Sequence, residues 1–262
     1  MASSIIHDAA GPLPDVCANL RQVRERIARA ARRFGRARGA VTLLAVSKGQ
    51  SVEAIRAALA CDQRRFGESY LQEALPKIAR LAGHGLEWHF IGPLQANKTK
   101  NIAACFDWVH SIDRLKIAER LNAQRPEQTA PLNVCLQVKV SGEATKAGVA
   151  PEQLPELARA VAALPRLHLR GLMGIPAPCR DFERQRLPYR RLRAALEALN
   201  REGFALDTLS MGMSGDAEAA IAEGATLVRL GTAIFGERGG KPRPSTTQRE
   251  GAKTQRNSEL KN

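Results

Sequence analysis

The residue with the plainest chemical capability closes the stretch "VTLLAVSKGQS", residues 41–51. Five of its first six residues are apolar, the pattern of a strand buried on both faces, and Ser47-Lys48 ends it. A lysine there either carries its ammonium past the strand into solvent or sits at the rim of a cavity. At a cavity rim, desolvation disfavours the charged form and leaves a neutral amine, a nucleophile towards carbonyl carbon.

Two later stretches have the residue types that hold an anion. "LSMGMSGDAEAAIAEG" (209–224) reads as a strand, a Gly/Ser turn and a helix; "LVRLGTAIFG" (227–236) reads as a strand running into Gly231-Thr232. Backbone N–H groups and short hydroxyls at such turns cradle phosphate, and Ser214, Gly215, Gly231 and Thr232 suit that cup. Taken singly, each has a plainer reading: Ser214 or Asp216 caps a helix, and the glycines turn the chain. An amine and a phosphate cup in one place call for an aldehyde-bearing phosphate, and pyridoxal 5′-phosphate meets both requirements. Arg229, two residues before Gly231, is then expected beside the pyridine nitrogen. A guanidinium can only donate, so that nitrogen would stay unprotonated and the ring would be a weak electron sink.

The positions of these turns depend on the fold. Residues 15–35 place Val16, Leu20, Val23 and Ile27 at helical spacing with arginines between them, an amphipathic N-terminal helix. Strands are expected at 42–47, 65–68, 88–92, 108–111, 133–140, 167–173, 208–211 and 226–230. Helices are expected near 52–60, 71–82, 97–104, 114–124, 152–163, 184–201 and 216–223. This alternation predicts an α/β fold, a single (β/α)8 TIM barrel with an extra N-terminal helix. An open doubly wound sheet is the competitor, but it favours a glycine-rich first turn, and "SKGQS" has one glycine. Barrel sites lie at the C-terminal strand ends, with phosphate after strands seven and eight. That puts Lys48 and both turns at one mouth. No helix is expected after the eighth strand, the N-terminal helix covering that surface instead.

Residues 1–14 are expected to be a flexible N-terminus, 15–236 the barrel, and 237–262 a disordered basic tail of Gly, Pro, Ser, Thr and Lys. The 262 residues carry 40 Lys and Arg against 26 Asp and Glu, a net charge of +14. Residues 1–40 hold 8 basic and 3 acidic groups, and 237–262 hold 7 and 3, so most of the excess sits at the ends. Specific nucleic-acid recognition is not expected. There is no apolar run of membrane-spanning length and no basic-then-apolar leader, so the reading is cytoplasmic. Five dispersed cysteines suggest reduced thiols, and the five histidines lack zinc-site spacing, so no metal is expected. His89 is read as a hydrogen-bonded barrel residue rather than an acid–base catalyst.

Seven motifs, "LLAVSKGQ", "FGESYLQEA", "EWHFIGPLQANK", "VHSIDRLKIAERL", "QVKVSGEATKAGV", "GLMGIP" and "LSMGMSGDAEAAIAEGATLVRLGTAIFGER", carry a resemblance. Together they resemble the YggS/PROSC-like family of pyridoxal-phosphate homeostasis proteins from about residue 15 to 238. The resemblance implies an alanine-racemase-type barrel without that enzyme's second domain. It also implies pyridoxal 5′-phosphate on Lys48 as a Schiff base, phosphate contacts at Ser214, Gly231 and Thr232, and Arg229 at the pyridine. Ser69 and Met211 complete the expected cofactor set. Two departures stand out. Ser69 replaces the usual asparagine and loses an amide donor near the ring, and Gly49-Gln50 replaces a common Thr-Lys. Lys146 matches a family lysine.

The implied function is storage and delivery of the cofactor, without turnover. Client apoenzymes are the expected partners, the protein acting as a monomer. A racemase-like enzyme is the alternative. It needs a second base, typically a tyrosine from a second domain, and the sequence has only Tyr70 and Tyr189.

Overall fold

The computed structural model describes residues 15–141 and 147–236. The expected flexible N-terminus, the expected disordered tail and Lys146 lie outside the described residues. Helix α1, Val16–Arg33, starts where the Asp15 side chain accepts from the Ala18 N–H. It buries Val16, Leu20, Val23, Ile27, Ala30 and Ala31 on one stripe and leaves most of its arginines outward. Eight βα units follow. They are β1 Thr42–Val46 with α2 Val52–Ala60, β2 Arg65–Glu68 with α3 Leu71–Arg80, and β3 Glu87–Phe90 with α4 Thr99–Cys105. Next come β4 Trp108–Ile112 with α5 Leu115–Gln124, β5 Leu132–Gln137 with α6 Leu154–Ala162, and β6 Leu167–Met173 with α7 Phe182–Arg201. The last two units are β7 Thr208–Ser210 with α8 Ala217–Ala222 and β8 Leu227–Leu230 with α9 Thr232–Phe235.

All eight strands pair in parallel and in chain order, and β1 pairs β8, so the sheet closes into a barrel. Buried strands of this kind are apolar on both faces, because helices cover the outside and side chains fill the inside. Leu43, Leu44 and Ala45 of β1 and every residue of β4 and β8 are accordingly buried. The expected (β/α)8 architecture with its additional N-terminal helix is therefore the observed one.

One expectation is corrected. A helix does follow the eighth strand, but it is only the four residues of α9. One turn cannot screen the β8–β1 seam, and α1 does so, packing against α9, α8 and α2. The packing of α1 beside α2 also brings two of the dispersed cysteines together. Cys17 and Cys61, 44 residues apart, meet with Cα atoms 5.7 Å apart, within the span a disulfide bridges. No local spacing could have shown a pairing made by two helices meeting in space. Among the described residues, no helix is long and apolar enough to cross a membrane, and no cluster of His, Cys, Asp or Glu could hold a metal ion.

Candidate functional site

Lys48 follows β1 on a strand end that is clamped from beneath. Ser47 is fully buried, and its N–H donates to the Gly67 carbonyl. The Ser47 hydroxyl donates to Glu68 Oε1 at 2.6 Å, and its carbonyl accepts from Lys77 Nζ at 2.8 Å. Lys77 also donates to Glu68 Oε1 at 2.9 Å and to Glu73 one helical turn away. Burial pushes the Glu68 carboxyl up, and the Lys77 charge and the Ser47 hydroxyl oppose that rise. The next residue, Gly49, takes a left-handed φ of 75° that a side chain would strain, and its N–H donates to Glu73. Both neighbours of Lys48 in the chain are thereby fixed.

The anion turns are fixed as firmly. The Met213 N–H donates to Asp216 Oδ1 at 2.6 Å, which tightens the loop carrying Ser214. The Ser214 carbonyl accepts from Arg26 of α1, and Arg26 is paired bidentately with Glu218 of α8. Gly231 precedes α9, and a Cβ there would lie 2.9 Å from the Val46 carbonyl of β1. Only glycine lets the two strands approach so closely. The first N–H groups of α9 have no acceptor within the helix, so donors open the turn beside the Thr232 hydroxyl.

These elements enclose a cavity of about 190 Å3 at the C-terminal strand ends. Lys48, Ser69, Ser214, Arg229, Gly231 and Thr232 all line it. Met211 and Gly215 do not. Met211 is fully buried in the core, and Gly215 is exposed, its carbonyl accepting from Gln185 of α7. Sequence reasoning missed Met213, Ile91 and Ile175, apolar walls of the same cavity, and Gln50, which lines it from the altered Gly49-Gln50 position. It also missed the Lys77–Glu68 pair. The spacing of Glu73 and Lys77 was visible, but in sequence such a pair reads as helix surface.

Arg229 is buried, and both of its terminal nitrogens are anchored. Nη1 donates to the Ser210 carbonyl at 2.5 Å and to Ser210 Oγ at 2.8 Å, and Nη2 donates to the Gly174 carbonyl at 3.0 Å. His89 is fully buried between Glu87 and His110, in keeping with the barrel-residue reading. A larger groove of about 900 Å3 lies at the other end, where β1 and β2 begin. Arg24, Arg32, Arg36, Arg38, Arg64 and Arg65 line it, and it contains no lysine. Size alone would favour that groove, but the amine and the hydroxyl turns are at the smaller cavity.

The fold and this cavity define a parallel barrel protein whose mouth combines an amine, hydroxyl turns and an anchored guanidinium. The family model described as alanine racemase, N-terminal domain, matches residues 18–239. A pyridoxal phosphate homeostasis protein of Pseudomonas aeruginosa is 58% identical over 223 residues, 85% of this chain and 96% of that protein. A protein of the same name from Escherichia coli is 53% identical over 227 residues, 86% and 97% of the two chains. The structure of PipY of Synechococcus elongatus, described with PLP bound, superposes with a TM-score of 0.76 at 35% identity, covering 84% of this chain and all of that one. This chain belongs to the alanine-racemase N-terminal-domain family, within its pyridoxal phosphate homeostasis (YggS/PROSC-like) group.

Proposed function

We propose that this protein binds pyridoxal 5′-phosphate in the small cavity and takes part in its homeostasis, storing and delivering it in the cytoplasm. The observation that carries the reading is the convergence of Lys48, Ser214, Gly231, Thr232 and Arg229 on one cavity. The donor set suits the group: an amine for an aldehyde, hydroxyls and backbone N–H groups for a phosphate, and a guanidinium for a ring nitrogen. Lys48 Nζ would hold the cofactor through the aldehyde that the group supplies when bound. The residues around Lys48 hold the amine in place, Ser214, Gly231 and Thr232 hold the anion, and Arg229 donates to the ring edge. Ser69 faces the same space with a hydroxyl in place of an amide.

A carrier is favoured over a racemase by the placement of the two tyrosines. Tyr189 is fully buried in the core, its hydroxyl pushed well above its ordinary value by desolvation. Tyr70 is 57% exposed at the start of α3, and neither residue lines the cavity. Lys48 and Arg229 are the only ionisable residues among the described residues that line the cavity. Among the described residues, the exposed large apolar side chains, Tyr70, Leu115, Leu187 and Met213, are scattered over four segments, which favours a monomer.

The test is spectroscopic. Protein reconstituted with pyridoxal 5′-phosphate should show a Schiff-base absorbance band that Lys48→Ala abolishes, and it should not exchange the α-hydrogen of alanine at enzymatic rates in heavy water. An unaltered band in the variant rejects the assignment to Lys48. Enzymatic exchange would establish the racemase alternative.

A further inference from the structure

Arg229 is only 5% exposed, and among the described residues no carboxylate lies within ion-pair distance of it. A buried guanidinium held only by neutral acceptors is costly unless its charge is compensated. Asp216 favours the charge from further off. A line of short contacts also leaves Arg229 in the opposite direction, through the barrel interior. Ser210 Oγ lies 2.7 Å from His110 Nδ1, His110 Nε2 lies 2.8 Å from His89 Nδ1, and His89 Nε2 lies 2.7 Å from Glu87 Oε1. Glu87 opens β3 at the far end of the barrel, half-buried, where Arg65 Nε meets it at 3.1 Å.

The direction of this relay is fixed from both ends. A guanidinium can only donate, so Ser210 Oγ accepts from Arg229 and its own proton is available for His110 Nδ1. A carboxylate can only accept, so His89 Nε2 must carry a proton and donate to Glu87. With both rings neutral, His89 Nδ1 is then bare and accepts from His110 Nε2–H, and His110 Nδ1 is bare and accepts from Ser210. Desolvation holds both imidazoles below their ordinary range, and His89 and Arg229 push His110 lower still. The hydrogen bond from His89 holds the Glu87 carboxyl below its usual value, with Arg65 beside it acting in the same sense. Reversing the relay would require an extra proton on Glu87, because otherwise two acceptors would face each other at its lower end.

We infer that Glu87 is the relayed counter-charge of Arg229, and that Ser210, His110 and His89 are positioning residues that fix the attitude of that guanidinium towards the cavity. Hydrogen bonds aligned head to tail polarise one another, so the carboxylate at one pole is felt at the other. The effect on ligand binding rests on the proposed cofactor site, whereas the relay itself does not.

Two measurements separate those claims. Full-length protein labelled with 15N-histidine, without ligand, is examined by long-range proton–nitrogen correlation, with His89→Gln and His110→Gln supplying assignments. Both buried rings should be neutral at about pH 7, protonated at Nε2 and bare at Nδ1. Titration with pyridoxal 5′-phosphate should then show His110→Phe and Glu87→Gln binding on the order of threefold to tenfold more weakly than the native protein. Glu87→Gln, at a half-exposed position, keeps an acceptor oxygen and should retain the native tautomers despite losing affinity. Protonation of either ring at Nδ1 at that pH, or native affinity in both variants, would overturn the relay. Failure of the native protein to bind the cofactor would overturn the proposed function, and the tautomer pattern alone would then decide the relay.

Discussion

Leu44 of β1 lies in register with Arg229 of β8. That pairing joins the first and last strands, and it sets Lys48, just past the end of β1, beside Gly231 and Thr232, just past the end of β8. Residues separated by most of the chain thus become neighbours at one rim. The close approach there depends on Gly231.

Replacing Gly231 with alanine tests that approach. The added Cβ would meet the Val46 carbonyl at 2.9 Å, and backbone cannot yield as a flexible side chain can. The strand ends would have to part by a few tenths of an ångström. Cofactor affinity should fall on the order of tenfold, about 1.4 kcal/mol, with a smaller loss in thermal stability. Isothermal titration together with a melting curve checks both quantities, and unchanged affinity would remove the turn from the binding site.

The clamp beneath Lys48 gives a stability prediction. Lys77→Met removes the cation that meets Glu68, whose side chain is fully buried, and leaves the Ser47 carbonyl without that donor. Breaking one partner of a buried pair costs about 3–5 kcal/mol. The double variant Lys77→Met with Glu68→Gln should recover part of the loss, because it leaves no unpaired buried charge. Urea denaturation of the native protein, the single variant and the double variant measures the coupling.

Arg229→Ala should destabilise the protein as well as weaken cofactor binding. It leaves the Ser210 and Gly174 carbonyls and Ser210 Oγ without their donor inside the barrel, at a cost of about 1–3 kcal/mol for each group left unsatisfied. Lysine cannot reproduce the two-pronged contact, so Arg229→Lys should remain well short of native stability. Denaturant midpoints for the two variants report this directly.

The buried imidazoles predict a pH dependence. His89 and His110 are held below the ordinary value of 6.5 by burial. Between the unfolded and folded pKa values the unfolded chain binds more protons, so stability rises with pH in that window. Their contribution is complete above about pH 6.5 and is lost as pH falls from there towards the depressed folded values. Each group contributes a slope of up to about 1.4 kcal/mol per pH unit. Folding free energies measured between about pH 7 and 5 should decline, and His110→Phe should flatten the decline.

Much of this could be read from the sequence because local chemistry determined it. The strands at 65–68 and 167–173 and the helix at 52–60 have the expected bounds. The first unit shows the limit. Thr42–Val46 was legible as a strand, but the lysine of another helix, Lys77, that clamps its end was not, because the contact crosses from α3. Met211 was placed with the site by its position in a motif. Its side chain points into the core, and Met213, two residues on, lines the cavity instead. The Cys17–Cys61 pair and the line from Arg229 to Glu87 join residues far apart in sequence, and spacing carries no trace of either.

The central claim is that the Lys48 amine holds an aldehyde-bearing phosphate in the barrel mouth. Borohydride reduction of protein loaded with pyridoxal 5′-phosphate, followed by peptide mass mapping, tests it most directly. A single stoichiometric adduct on the peptide containing Lys48, absent after Lys48→Ala, is the predicted result. An adduct confined to other lysines, or no adduct on a protein that retains the cofactor, would contradict it.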